Sequence, residues 1–122
     1  MDGSSPHLEP HLPPKRIAGA PIVNAMTVDV EDYYQVHAFS GQVARSDWDR
    51  FESRVERNTD AVLELFGHAN TRATFFTLGW VAERHPALLR RIVAAGHEIA
   101  SHGYAHVRAE EHCVREISVG ER

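Results

Sequence analysis

Apolar and polar positions follow two rhythms along the chain. Ile22-Val23-Asn24-Ala25-Met26-Thr27-Val28 is a short, mainly apolar run with β-branched residues, the pattern of a strand buried on both faces. Arg72-Ala73-Thr74-Phe75-Phe76-Thr77-Leu78 has a similar composition and stops at Gly79, which permits a sharp turn. His97-Glu98-Ile99-Ala100-Ser101 predicts a short third strand. Between the strands the period lengthens. Ala61, Val62, Leu65 and Phe66 lie at the i, i+1, i+4, i+5 spacing of one buried stripe, predicting a helix over about 59–68. Asn58 is its expected N-cap, and Asp60 and Glu64 fall on its wetter side. Leu88, Leu89, Ile92 and Val93 repeat the stripe in a helix opened by Pro86 and running to about Ala95. Gly96 sits at its C′ position, and Arg90 and Arg91 face water as a solvated surface, not a phosphate site. From Tyr33 to Arg57 the periodicity is poor, and Tyr33, Tyr34, Phe39, Trp48 and Phe51 are interleaved with charge. That pattern predicts a long loop with short helical turns.

The resulting order is β, α, β, α, β. It predicts an α/β fold with right-handed crossovers and a parallel sheet covered by helices on at least one face. In such sheets functional groups gather at the carboxyl ends of the strands. Asp29, Glu31, Trp80, His102 and His106 all fall at or just beyond those ends.

The 122 residues suffice for one small domain, and 43% hydrophobic with 25% charged residues is average globular usage that supports a packed core. Residues 1–21 depart from it, mixing Gly, Ser and His with five prolines, and read as a flexible leader. A net charge of −4 and a pI near 6.1 argue against nucleic acid or anionic lipid as partners. Cys113 is the only cysteine, which excludes an intramolecular disulfide, fits a reducing compartment and reads as an inert thiol. No apolar run approaches the roughly twenty residues of a membrane span, and the N-terminus lacks the basic and apolar regions of a secretory signal. The expected location is cytoplasmic, without a membrane partner.

Chemistry concentrates in two segments. Thr27-Val28-Asp29-Val30-Glu31-Asp32 places acids at the end of the first strand, and Ser101-His102-Gly103-Tyr104-Ala105-His106 places two imidazoles just after the third. Histidines four apart converge on one cation where the intervening backbone is helical or tightly turned. One carboxylate can complete such a site while a second takes a proton from water whose pKa the cation lowers, which makes hydrolysis the leading reading. The structural alternatives are that Asp29 and Asp32 cap a turn, that the histidines are surface groups, and that Trp80 is core like Phe75 and Phe76. Trp80 alone of these aromatics is also placed to line a sugar-binding groove.

TVDVEDYY over 27–34, RATFFTLGWVAE over 72–83 and HPALLRRIVAAGHEIASHGYAH over 85–106 resemble the polysaccharide deacetylases of carbohydrate esterase family 4, the chitooligosaccharide deacetylase homology domain. The wording is most similar to the subgroup associated with exosortase systems and exopolysaccharide synthesis. The resemblance covers about 22–107 and leaves 108–122 as a divergent tail. It implies a distorted (β/α) barrel, of which this is the N-terminal β-α-β-α-β portion, and a divalent metal, usually zinc. It also implies an acetylated polysaccharide or oligosaccharide as substrate, with hydrolysis of an N-acetyl or O-acetyl group, the former at a carbon-nitrogen, non-peptide bond. Carried onto this chain, Asp29 is the catalytic base and His102 and His106 are metal ligands. Where the family has a second Asp directly after the base this chain has Val30, and related deacetylases point to Glu31 as the ligand instead.

The family's later Arg-Pro, Asp-Trp and Leu-x-x-x-His segments, which shape the site and supply the catalytic acid, do not appear, and His112 takes no role. The expectation is therefore a truncated or fragmentary deacetylase whose own turnover is open. Two alternatives stand beside it. One is a non-catalytic metal- or glycan-binding module whose exposed sheet edge closes by self-association. The other is a cyclic-amide hydrolase of the allantoinase kind on the same fold, against which the presence of both His102 and His106 weighs.

Overall fold

The computed structural model of the chain describes Gly19 and residues 21–107. The expected tail over 108–122, and all of the expected leader except Gly19 and Pro21, lie outside the described residues. Three parallel strands, β1 (Thr27–Val30), β2 (Thr74–Thr77) and β3 (Glu98–Ser101), form one sheet in the order β1-β2-β3. In register, Val28 stands beside Phe75 and Phe75 beside Ile99, so one face of the sheet carries all three. Side chains alternate along a strand, so Asp29, Phe76 and Ala100 share the other face.

Only the first face is built into the core. Val30, Phe75, Leu88 and Ile92 are at most 1% exposed, and Val28, Val62, Leu63, Phe66 and Ile99 pack around them. The helices α1 (Val55–His68) and α3 (Pro86–Ala94) supply the covering layer. Across their outer surface the Arg91 guanidinium donates to Asp60 at 2.9 Å and Glu56 at 3.2 Å, exposed pairs that solvent screens.

Several boundaries differ from the sequence expectation, each for a physical reason. β1 starts five residues later than expected: Ile22 and Val23 are 71% and 88% exposed, and pairing begins only where the Met26 carbonyl accepts the Thr74 amide. β1 is also not buried on both faces, since Thr27 and Asp29 are exposed while Val28 and Val30 turn inward. α1 begins at Val55 because the buried Asp32 carboxylate, from the loop after β1, accepts the amides of Arg54 and Val55; Asn58 is interior to the helix and caps nothing. The stripe shifts accordingly to Val55, Thr59, Val62, Leu63 and Phe66, leaving Ala61 and Leu65 in solvent. On α3, Leu88 and Ile92 are buried as expected, whereas Val93 is exposed. Gly96 follows α3 at φ +85, the left-handed geometry expected at C′.

The helix α2 (Gly79–Arg84), where the sequence pattern marks only a turn at Gly79, occupies the stretch between β2 and α3. The loop over 33–54 contains short 3₁₀ turns at His37–Phe39 and Arg45–Arg50, as its pattern predicts. Its aromatics fold back on α2: Trp48 meets Trp80 edge-on at 5.4 Å, and Tyr34 stacks on Phe51 at 5.1 Å.

Candidate metal centre at the strand ends

Strand alternation separates the acids after Thr27. Val30 turns into the core at 1% exposure, while Asp29 and Glu31 emerge on the opposite side. A carboxylate at position 30 would therefore be buried among apolar side chains. Here Glu31, two positions after Asp29, reaches the strand-end site.

The opposing wall is the turn after β3. The His102 amide extends the ladder by donating to the Thr77 carbonyl at 3.0 Å, and the chain then bends through Gly103 at φ +71 and His106 at φ +56. This tight turn brings the His102 and His106 rings edge to face with centroids 4.6 Å apart. Glu31 Oε2 contacts His106 Nε2 and lies 4.0 Å from His102 Nε2, and Asp29 Oδ2 lies 3.7 Å from the same nitrogen. Glu31, His102 and His106 each offer a ligand atom, all within 4.8 Å of one another, and all three residues are half-buried.

The residues fit a divalent cation. His102 Nε2 is buried and has no hydrogen-bond partner among the described residues, although it faces two carboxylates. An orphaned buried nitrogen costs about 1–3 kcal/mol, and a cation between it and Glu31 would satisfy it. Two imidazole nitrogens and one carboxylate oxygen match the donors that hold zinc while leaving a coordination position open. Asp29 stands beside this trio, its Oδ2 3.7 Å from His102 Nε2 and its side chain half exposed.

The other singled-out residues fall elsewhere. Asp32 spends its carboxylate not on the turn after β1 but on the start of α1, more than twenty residues away. Trp80 is in the core at 7% exposure, with the Arg84 guanidinium 3.9 Å above its ring. Burial, followed by the nearby Asp32 carboxylate, pushes the Tyr34 phenol up to about 12. The residue missed from sequence is His37, which lines an open depression together with His102, His106 and Val107. Its aperiodic loop carries no spacing signal that would have marked it.

The sequence profile of the family described as polysaccharide deacetylase matches residues 46–118, a stretch that contains β2, β3, all three helices and both histidines and begins beyond Asp29 and Glu31. A chitooligosaccharide deacetylase of Sinorhizobium fredii is 44% identical over 48 residues, which are 39% of this chain and 22% of that protein. A peptidoglycan-N-acetylglucosamine deacetylase of Bacillus cereus is 42% identical over 48 residues, 39% of this chain and 18% of that protein. The match thus spans about a fifth of either curated relative. The peptidoglycan deacetylase PdaC of Bacillus subtilis superposes with a TM-score of 0.52 at 22% identity, over 75% of this chain and 35% of that one. This likeness concerns the fold, and it makes this parallel β/α unit a portion of the deacetylase (β/α) barrel, as expected. Since the family profile matches more than half of its length, the chain belongs to the polysaccharide deacetylase family.

Proposed function

We propose that the chain forms the metal-holding part of a hydrolase that removes acetyl groups from a polysaccharide, with Glu31, His102 and His106 holding zinc and Asp29 serving as base. The observation that carries this reading is His102 Nε2, buried, without a partner among the described residues and facing both carboxylates beside His106. A divalent cation there supplies a Lewis acid that polarises an acyl carbonyl and lowers the pKa of water.

The chain's own residues supply the rest. Asp29 lies outside the Glu/His/His trio, so its carboxylate is free to take the proton as the acyl carbon is attacked. Val30, packed in the core, fixes the strand so that Asp29 and Glu31 emerge together. The depression lined by His37, His102, His106 and Val107 gives an extended chain an approach to the site. The relatives named for chitooligosaccharide and for peptidoglycan N-acetylglucosamine support an N-acetylated polymer as the substrate class. An exopolysaccharide falls within that class and accords with the TVDVEDYY wording.

Calorimetric zinc titration of the full chain and three variants tests the assignment. His102→Ala and His106→Ala each abolish tight binding, whereas Asp29→Asn retains the metal and loses only turnover of an acetylated oligosaccharide. If Asp29→Asn lost zinc as completely as the histidine variants, Asp29 would be a ligand and the base would have to be sought elsewhere.

A further inference from the structure

We infer that Tyr104 is a positioning residue, locking the turn that carries both histidines onto α2. The inference rests on the metal reading above and identifies what holds that site's geometry. His106 keeps φ +56, a conformation that a non-glycine residue holds only when its surroundings impose it. The imposing contacts come from α2 and not from the imidazoles. The Gly79 amide donates to the Gly103 carbonyl at 2.9 Å and the Trp80 amide to the Tyr104 carbonyl at 3.1 Å, so the first turn of α2 grips the backbone between the histidines.

The Tyr104 side chain adds a second grip. Its ring lies against Gly79 so closely that a Cβ there would stand 2.7 Å from Tyr104 Cδ2 and 3.4 Å from its Cα. Its hydroxyl donates to Glu83 Oε2 at 2.8 Å, one helical turn beyond Gly79, so ring and hydroxyl run along one side of α2. The Arg45 guanidinium covers the ring at 4.9 Å, and the next residue, Ala105, is buried. Residues 102 and 106 are therefore suspended on either side of a segment pinned by backbone, ring and hydroxyl to a helix that contributes no ligand. Gly79 permits the close approach, and Glu83 orients the phenol.

The test measures zinc affinity by competition with a chromophoric chelator, the visible spectrum of the cobalt(II)-loaded full chain, and the melting temperature. Tyr104→Phe and Glu83→Ala are each expected to weaken zinc by roughly tenfold, the usual scale for groups that orient metal ligands, and to shift the cobalt spectrum. The double variant is expected to be no worse than either single one, and Glu83→Gln, which keeps an acceptor, restores wild-type behaviour. Gly79→Ala is expected to lose more, because the added methyl displaces the ring; should it fail to fold, the exposed Tyr104 and Glu83 variants carry the test. Variants that melt earlier but keep zinc affinity and cobalt spectrum unchanged would reduce Tyr104 to a stability role and overturn the inference alone. A wild-type chain that takes up no zinc would overturn the metal reading, and the inference with it.

Discussion

Asp32 accepts Ser53 Oγ at 2.8 Å, the Arg54 amide at 2.9 Å and the Val55 amide at 3.2 Å while only 2% exposed. Amides at the start of a helix have no intrahelical acceptor, and a carboxylate there satisfies them and meets the positive end of the helix dipole. Asp32→Ala should therefore cost about 2 kcal/mol, the upper range for lost N-caps, read as a lower urea midpoint. Asp32→Asn should cost less, since an amide oxygen still accepts. Tyr34, beside this carboxylate, holds its phenolic proton more tightly in the folded chain, with a pKa moved from 10.0 to about 12. Its contribution to stability is then complete below pH 10 and is lost as pH rises toward about 12. Denaturation at several alkaline pH values should show Tyr34→Phe losing less stability than wild type across that window. A parallel decline in both would detach the phenol from alkaline unfolding.

Among the elements, α3 has both ends set by single residues. Pro86 occupies its first turn and Gly96 its left-handed exit, where an added Cβ would meet the Arg72 guanidinium at 2.8 Å. Gly96→Ala should cost roughly 1–2 kcal/mol for the left-handed backbone alone, with an earlier thermal transition as the readout. A neutral effect would mean that the turn opens at no cost. Such punctuation is why α3, β2 and β3 were legible in the sequence to within a residue or two. The starts of β1 and α1 were not, because distant partners determine them: the pairing of Met26 with Thr74 and the cap from Asp32. α2 escaped notice because six residues with Trp80 and Val81 side by side display no period. The acids and the histidine pair were legible as motifs at strand ends, whereas His37 and the packing of Tyr104 on Gly79 exist only once the chain has folded.

For the molecule as a whole, helices cover one face of a three-stranded sheet whose outer strands, β1 and β3, each have one side without a partner strand among the described residues. Ile22 and Val23, a few residues before β1 in the chain, leave further apolar surface exposed. Unpaired backbone next to apolar side chains is a template for association, so sedimentation velocity should show larger species as concentration rises. Val23→Lys should shift the distribution toward monomer. A sharp, concentration-independent monomeric melt would count against this expectation. No helix among the described residues is long and apolar enough to cross a membrane. The cap from Asp32 has a further consequence for how the molecule can be observed. The amides of Arg54 and Val55 can exchange with deuterium only when Asp32 withdraws, and Asp32 adjoins Glu31 in the chain. Those two protons thus act as a clock for the acid wall. Any cation that steadies Glu31 should slow the clock from a distance, reporting occupancy of the site through a helix end that never touches it.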